Sequence, residues 1–159
     1  MKVEIRPATI GDAAAMADLL NRIIEIGGST AHDAPFSPYR IVETFIAPPL
    51  ALSCFVACSE ARLIGFQALE WSDPDWHGED RLAADWAIIA TYVDPACHRQ
   101  GVGSRLFDQS RQAAKLASAA AINATVRKEN ASGRKYYSGI GFVDFDQSGD
   151  SVSMRFDLG

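Results

Sequence analysis

The spacing of apolar residues alternates along the chain between a period of two and a helical period, and each change predicts a new element. Alternation over 2–6 predicts a first strand with Val3 and Ile5 on one face. Apolar residues at helical spacing then predict a helix that begins after Thr9 and ends at Gly27-Gly28. A loop over 29–37 leads to a short second helix.

The rest of the chain continues this pattern as strands, two further helices and a final hairpin. After the short helix over 38–46, the predicted strands are 54–58, 63–71, 86–93, 121–126, 142–145 and 151–156, and the predicted helices are 104–119 and 130–138. Neither a repeat nor a linker interrupts the pattern. The sequence therefore predicts one α/β domain over 1–159, in the order β-α-α-β-β-β-α-β-α-β-β.

Glycine and polar residues fill the junction between the strand that ends at Val93 and the helix that follows it. A strand that leads through a glycine-rich turn into a helix is a phosphate-binding geometry, because the first helical N–H groups lack intrahelical partners. A dinucleotide fingerprint needs a third glycine where this chain has Leu106, and no Gly-Lys-Ser/Thr follows as a nucleotide P-loop requires. Gly101 and Gly103 lack a Cβ, so phosphates are expected to reach the backbone there.

The stretch His98-Arg99-Gln100-Gly101-Val102-Gly103 resembles the acyl-CoA-binding loop of the GCN5-related N-acetyltransferases, Gln/Arg-x-x-Gly-x-Gly/Ala, with His98 as a departure. The opening Ile5-Arg6-Pro7-Ala8-Thr9-Ile10-Gly11-Asp12 is similar to the family's first strand and helix start. The segment 130–142 is similar to its Asn-x-x-Ala/Ser … Phe-Tyr-x-x-x-Gly-Phe pattern.

The resemblance implies a central mixed, mostly antiparallel sheet of about seven strands flanked by about four helices. It also implies that the central strand and the strand after the long helix are parallel neighbours that splay apart around the cofactor. Acetyl-CoA is the co-substrate that it implies. The implied cofactor-binding residues are Tyr92, Val93, His98, Arg99, Gln100, Gly101, Val102, Gly103, Ser104, Asn130 and Tyr137.

Two of these residues carry implied chemistry. Tyr137 aligns with the family's tyrosine and is the candidate general acid, because a phenol stays protonated at neutral pH. The backbone N–H of Val93 is the candidate oxyanion donor. Tyr136 is expected to face the core, since neighbouring residues of a helix point about 100° apart. Asn130 is equally suited to cap a helix.

The general base is left open by the sequence. Relatives often carry a glutamate on the strand before the loop, and Ile88 occupies that position here. The alternatives are a water chain, an amine that arrives already neutral, or one of five side chains: Glu70, His77, Glu79, Asp80 and Asp85.

The acceptor pocket is expected between the first two helices and the loop before the central strand, with Asn21, Thr30 and Trp86 as substrate-binding candidates. The region 21–35 loosely resembles the phosphinothricin-type branch, which implies acetylation of a small primary amine such as an amino acid or analogue. Two alternatives stay open: a CoA-binding module without turnover, and an N-acetyltransferase acting on proteins or peptides.

The net charge, the length of the apolar runs and the cysteine content limit the partners and the location that the sequence allows. The net charge of −5 argues against a general nucleic-acid binder and against an anionic membrane surface. The apolar runs fall short of the roughly 20 residues of a membrane span. Three cysteines without a metal-ligand spacing indicate a reducing, cytoplasmic location and no metal site. A homodimer is a hypothesis drawn only from how often such folds dimerise.

Overall fold

Seven strands and four helices follow one another in the predicted order. The computed structural model describes residues 2–28, 30, 32–76, 78 and 81–159. The strands are β1 Glu4–Pro7, β2 Ala51–Ser59, β3 Arg62–Trp71, β4 Trp86–Val93, β5 Ala121–Arg127, β6 Val143–Ser148 and β7 Ser151–Asp157. The helices are α1 Ala13–Ile26, α2 Pro38–Ile41 with a π-helical continuation Val42–Ile46, α3 Val102–Leu116 and α4 Ala131–Gly139.

The strands form one mixed sheet in the order β1-β2-β3-β4-β5-β7-β6. The central pair β4–β5 is parallel and the other neighbours are antiparallel. This arrangement confirms the predicted seven-stranded, mostly antiparallel sheet.

The central pair separates early. The register of β4 and β5 covers Trp86 to Ile88 against Ala121 to Asn123, although β4 runs on to Val93 and β5 to Arg127. The unpaired halves, 89–93 and 124–127, enclose a space that we call the β4–β5 gap. The predicted splay is therefore present between these two strands.

The two faces of the sheet carry separate apolar cores. Helices α1 and α2 cover one face, where Met16 and Phe45 pack with Phe66. Helices α3 and α4 cover the other face, where Phe107 and Phe142 lie in one buried cluster. Burial of such aromatic and aliphatic side chains is the main force that holds a helix against a sheet. No helix in the described ranges has the length and apolar character that a bilayer crossing requires.

Two of the element boundaries that differ from the sequence prediction have a clear structural cause. Strand β2 begins at Ala51 rather than at 54, because its pairing with β3 continues through an irregularity between Ala51 and Ser53. Helix α3 begins at Val102 rather than at 104, since Gly101 with a φ of 77° turns the chain directly into the helix. Long-range pairing and a left-handed glycine set these limits, and neither follows from periodicity.

A buried carboxylate holds the end of β4 in place. Asp94 directly follows β4 and is 3% exposed. Its carboxylate accepts from Arg62 at 2.7 Å, from the Ala96 backbone N–H at 3.0 Å, and pairs with Arg22 of α1 at 3.5 Å. Asp94 thus ties α1 and β3 to the turn that leads into the glycine-rich loop.

Candidate active site

The loop between β4 and α3 presents a row of backbone N–H groups. Arg99 and Gly101 both have left-handed backbone conformations, with φ of 67° and 77°. Within the described residues, the N–H groups from Gln100 to Ser104 have no acceptor. Such alternation of conformations at a helix start makes an anion-binding concavity. We call residues 98–104 the phosphate loop.

Gly103 has a packing role that the sequence did not predict. A Cβ at this position would lie 2.6 Å from Cε1 of Tyr136, whereas a Cβ at Gly101 would meet nothing within 4 Å. The Tyr136 hydroxyl also donates to the Gly103 carbonyl over 2.8 Å. The missing side chain of Gly103 makes room for Tyr136, so only Gly101 leaves its space open towards a ligand.

Two tyrosines of α4 meet two polar residues of the central strands. The Tyr137 hydroxyl donates to Thr91 Oγ1 over 2.9 Å. Gln67 Nε2 donates to the same Thr91 oxygen over 2.9 Å and to the Tyr136 hydroxyl over 3.0 Å. We call Gln67, Thr91, Tyr136 and Tyr137 the tyrosine cluster.

The expectation that Tyr136 would turn into the core, away from Tyr137, is not met. The two rings lie 4.9 Å apart, and Tyr137, at 8% exposed, is the buried member of the pair. Burial raises the pKa of Tyr136 to about 12 and raises the pKa of Tyr137 further, because a phenolate is poorly solvated there. Both phenols therefore hold their protons throughout the neutral range.

The backbone of β4 offers donors towards the β4–β5 gap. The Asp94 N–H bonds the Ile64 carbonyl on the β3 side over 2.8 Å. Because successive N–H groups of a strand point to opposite edges, the N–H of Val93 points towards β5. The N–H and carbonyl of Tyr92 point towards β3 by the same alternation, and its ring packs against Phe45 and Phe66 on the α1/α2 face, so the cofactor role of Tyr92 stays a prediction.

The remaining cofactor candidates fall into two groups. The side chains of His98, Arg99, Gln100 and Ser104 are exposed at the phosphate loop. Asn130 caps α4, where its Oδ1 accepts from the Gly133 N–H over 2.9 Å. The capping role anticipated for Asn130 is thus present, and its role towards a cofactor stays a prediction.

Among the candidate bases that the structure describes, Glu70 lies on β3 near the residue after which β4 and β5 separate. It lies directly opposite Ile88 in the β3–β4 register, on the same face of the sheet. Burial, followed by the negative charge of Asp73, raises its pKa above the usual range of a glutamate. Asp85 is exposed before β4, and His77, Glu79 and Asp80 lie outside the described residues.

The three substrate-binding candidates do not come together. Asn21 is engaged in a clamp on Phe36, accepting from its N–H at 2.7 Å and donating to its carbonyl at 2.9 Å. Thr30 lies beside the Tyr92 hydroxyl. Trp86 lies at the other end of β4, about 20 Å away by strand geometry, under the guanidinium of Arg155.

A cavity of about 250 Å³ opens on the α1/α2 face next to Ile88. Its walls include Asn123 and Thr125 of β5, together with Asp73 and Phe145. The ring of Phe145 contacts the ring of Trp86. Three residues near the site were not predicted from the sequence: Asn123, Gln67 and Thr91. Each of the three is a polar residue within an otherwise apolar strand. This pattern indicates that the side chain makes a polar contact inside the fold.

Three comparisons place the chain among known proteins. The model of the Acetyltransferase (GNAT) family matches residues 15–142. A phosphinothricin N-acetyltransferase of Streptomyces viridochromogenes is 32% identical over 106 residues, which cover 66% of this chain and 55% of that protein. The chain therefore spans little more than half the length of this curated relative.

Crystal structures share the fold at low identity. An N-acetyltransferase from Staphylococcus aureus Mu50 superposes with a TM-score of 0.81 at 19% identity and covers all of both chains. A GNAT superfamily phosphinothricin acetyltransferase from Sinorhizobium meliloti, in complex with acetyl-CoA, superposes with a TM-score of 0.81 at 17% identity, covering 100% of this chain and 90% of that one. These likenesses confirm the predicted fold.

Proposed function

The chain belongs to the Acetyltransferase (GNAT) family, as its sequence predicted, and on this premise we propose that it transfers the acetyl group of acetyl-CoA to the primary amine of a small molecule. The observation that carries the proposal is the β4–β5 gap. The phosphate loop, the inward N–H of Val93 and the tyrosine cluster all border it. Glu70 and the cavity lie across the sheet from the tyrosine cluster.

Each part of this arrangement has a role. The N–H groups of the phosphate loop bind the diphosphate, and the edge of β4 near Tyr92 pairs with the amides of the pantetheine arm. Bound acetyl-CoA supplies a thioester, whose acetyl carbon bonds to the amine nitrogen while its carbon–sulfur bond breaks. The Val93 N–H stabilises the negative charge on the carbonyl oxygen, and Tyr137 protonates the departing sulfur.

We assign the role of base to Glu70. An amine must lose a proton as it forms the new bond, and Glu70 receives it directly or through one water. Its raised pKa brings a carboxylate closer to the range in which a base works well near neutral pH. The carboxylate expected at Ile88 is thus replaced by one on the neighbouring strand.

The size of the cavity and the name of the curated relative support a small acceptor. A volume of about 250 Å³ suits an amino acid or an analogue rather than a folded chain. Phosphinothricin, the acceptor in that relative's name, is accordingly one member of the test panel. The second candidate is a CoA-binding protein without turnover, which Ile88 in place of the family's glutamate favours.

The test is thiol release from acetyl-CoA with a panel of amino acids, phosphinothricin, polyamines and basic peptides. We expect release with at least one small primary amine and mass-spectrometric detection of its acetyl product. Gly101→Val serves as the control, because a left-handed φ of 77° and a bulky side chain both oppose phosphate binding. Binding of CoA with no transfer to any amine would support the second candidate, and transfer only to peptides would contradict the small acceptor.

A further inference from the structure

Asn123 carries a buried hydrogen-bond acceptor that lacks a donor within the described part of the chain. It is 4% exposed. Its Nδ2 donates to Thr125 Oγ1 over 3.1 Å, while its Oδ1 receives no hydrogen bond from the residues that the structure describes. Native proteins rarely leave a buried carbonyl oxygen unpaired, and such an atom indicates a ligand or an ordered water.

The oxygen belongs to the wall of the cavity beside Ile88. Asn123 alternates along β5 with Ile122 and Ala124, whose side chains lie in the core under α3 and α4. Asn123 therefore faces the opposite, α1/α2 side, where it lines the cavity of about 250 Å³. An acceptor directed into a cavity selects a ligand that carries an N–H or O–H donor.

The charged side chains that line the cavity favour a cation or an amine as this ligand. Asp73 and Asp146 contribute carboxylates to the lining and Arg81 contributes one guanidinium. The acceptors Asn123 Oδ1 and these carboxylates thus outnumber the cationic donor, which favours an ammonium group or an amine that arises from it.

Strands β4 and β5 also separate directly after Asn123. This residue pairs with Ile88 in the last register position before the gap, and Ile88 pairs on its other side with Glu70. Glu70, Ile88 and Asn123 thus form a row across three strands, on the face away from the tyrosine cluster. Neighbouring positions in such a row lie about 5 Å apart. Glu70 lines an adjoining pocket, which shares Asp73 with the cavity of Asn123.

We infer that Asn123 binds the ammonium or amine group of the acceptor, with Oδ1 accepting one of its N–H groups. The inference rests on the proposed function. The bond from Asn123 to Thr125 holds the amide with its oxygen towards the cavity.

The first experiment measures binding without catalysis. Ethylammonium chloride is titrated into the ¹⁵N-labelled full chain, and the amide signals of Thr125 and Ser153 are followed by NMR. We expect saturable shifts in the wild type. Asn123→Leu, which has similar size and no polar atom, should weaken binding about 10- to 100-fold, whereas Asn123→Asp, which keeps the acceptor, should bind at least as tightly.

The control is Ser110→Ala. Ser110 is buried in α3 and its Oγ likewise finds no partner among the described residues, but it lies under the opposite face of the sheet. Its loss should leave ethylammonium binding unchanged. If Asn123→Leu does not fold, Thr125→Val replaces it, since loss of the orienting bond should weaken binding several-fold while Asn123 itself stays.

A kinetic experiment separates this inference from the proposed function. With a panel amine that the wild type acetylates, Asn123→Leu should raise the KM for the amine about 10- to 100-fold and leave the KM for acetyl-CoA unchanged. Absence of ethylammonium shifts around the cavity, or equal affinity in the wild type and Asn123→Leu, would overturn the inference. Ethylammonium binding with no acetyl transfer to any amine would instead overturn the proposed function alone.

Discussion

Glu70 and Ile88 face each other across β3 and β4, so the proposed base lies opposite the position where relatives often carry a glutamate. Glu70 is half-buried, and burial together with Asp73 raises its pKa. A base must be ionised to act, so the working form of Glu70 is present above that raised pKa and is lost as the pH falls through it.

Glu70→Gln should therefore lower kcat/KM by about 10²- to 10⁴-fold near neutral pH and remove the acidic limb of the pH–rate profile. Asp73→Asn should move that limb of the wild-type profile to lower pH, because it removes a neighbouring negative charge. The matched control is Asp85→Asn, an exposed carboxylate near the start of β4. An unchanged acidic limb in Glu70→Gln would show that another group or water is the base.

The sequence predicted the residues of the site that belong to contiguous motifs better than the residues that strand pairing brings beside them. Tyr137 and the phosphate loop belong to contiguous patterns, so a single stretch of sequence was enough to predict them. Gln67, Thr91 and Asn123 are brought to the site by pairing between strands, and the register of that pairing is a property of the folded sheet. For the same reason Asn21, which looks like a pocket residue in the sequence, is a clamp on Phe36.

At the scale of elements, the contact between α3 and α4 depends on Gly103. The Tyr136 ring occupies the space that any side chain at 103 would need, and its hydroxyl is bonded both to the Gly103 carbonyl and to Gln67. A shift of the Tyr136 ring would break both hydrogen bonds. We therefore expect a change at Gly103 of the phosphate loop to alter the tyrosine cluster.

Gly103→Ala should lower the free energy of unfolding by about 1–3 kcal/mol, because overpacking displaces a half-buried ring. Chemical denaturation measures this change. Gly139→Ala is the matched control, since a Cβ there would meet nothing within 4 Å, and it should be neutral or stabilising by up to about 1 kcal/mol. Removal of the ring in Gly103→Ala/Tyr136→Leu should relieve the clash, and a Gly103→Ala protein as stable as the wild type would refute this link between Gly103 and the tyrosine cluster.

The order of elements was predictable from periodicity, and their ends were not. Helices α1 and α3 follow from apolar residues at helical spacing, and β3 from a run of apolar residues between turn signals. The start of β2 at Ala51 and the early separation of β4 from β5 depend on partner strands that lie far away in sequence. The splay itself came from the family resemblance, which the fold confirms.

At the scale of the whole molecule, the gap and its two faces divide the reaction between two ligands. In the proposed mechanism, α3, α4 and the phosphate loop bind the cofactor, and the cavity on the other face binds the acceptor. A ligand that binds the folded state across several elements stabilises all of them together.

Acetyl-CoA at 100 times its dissociation constant should therefore stabilise the fold by about 2.7 kcal/mol, which raises Tm by about 5–10 °C for a domain of this size. Thermal denaturation with and without acetyl-CoA measures the shift. Gly101→Val should abolish it, whereas Gly139→Ala should keep it. No shift in the wild type would contradict the phosphate loop as the cofactor site.

The most direct test of the account is acetyl transfer by Tyr137→Phe. Tyr137 donates to Thr91 beside the gap, and its raised pKa keeps the phenol protonated. With an amine that the wild type acetylates, we predict that kcat falls about 10²- to 10⁴-fold, that the KM for acetyl-CoA changes little, and that exposed Tyr39→Phe behaves as the wild type. Equal kcat for Tyr137→Phe and the wild type across the pH range would contradict the account.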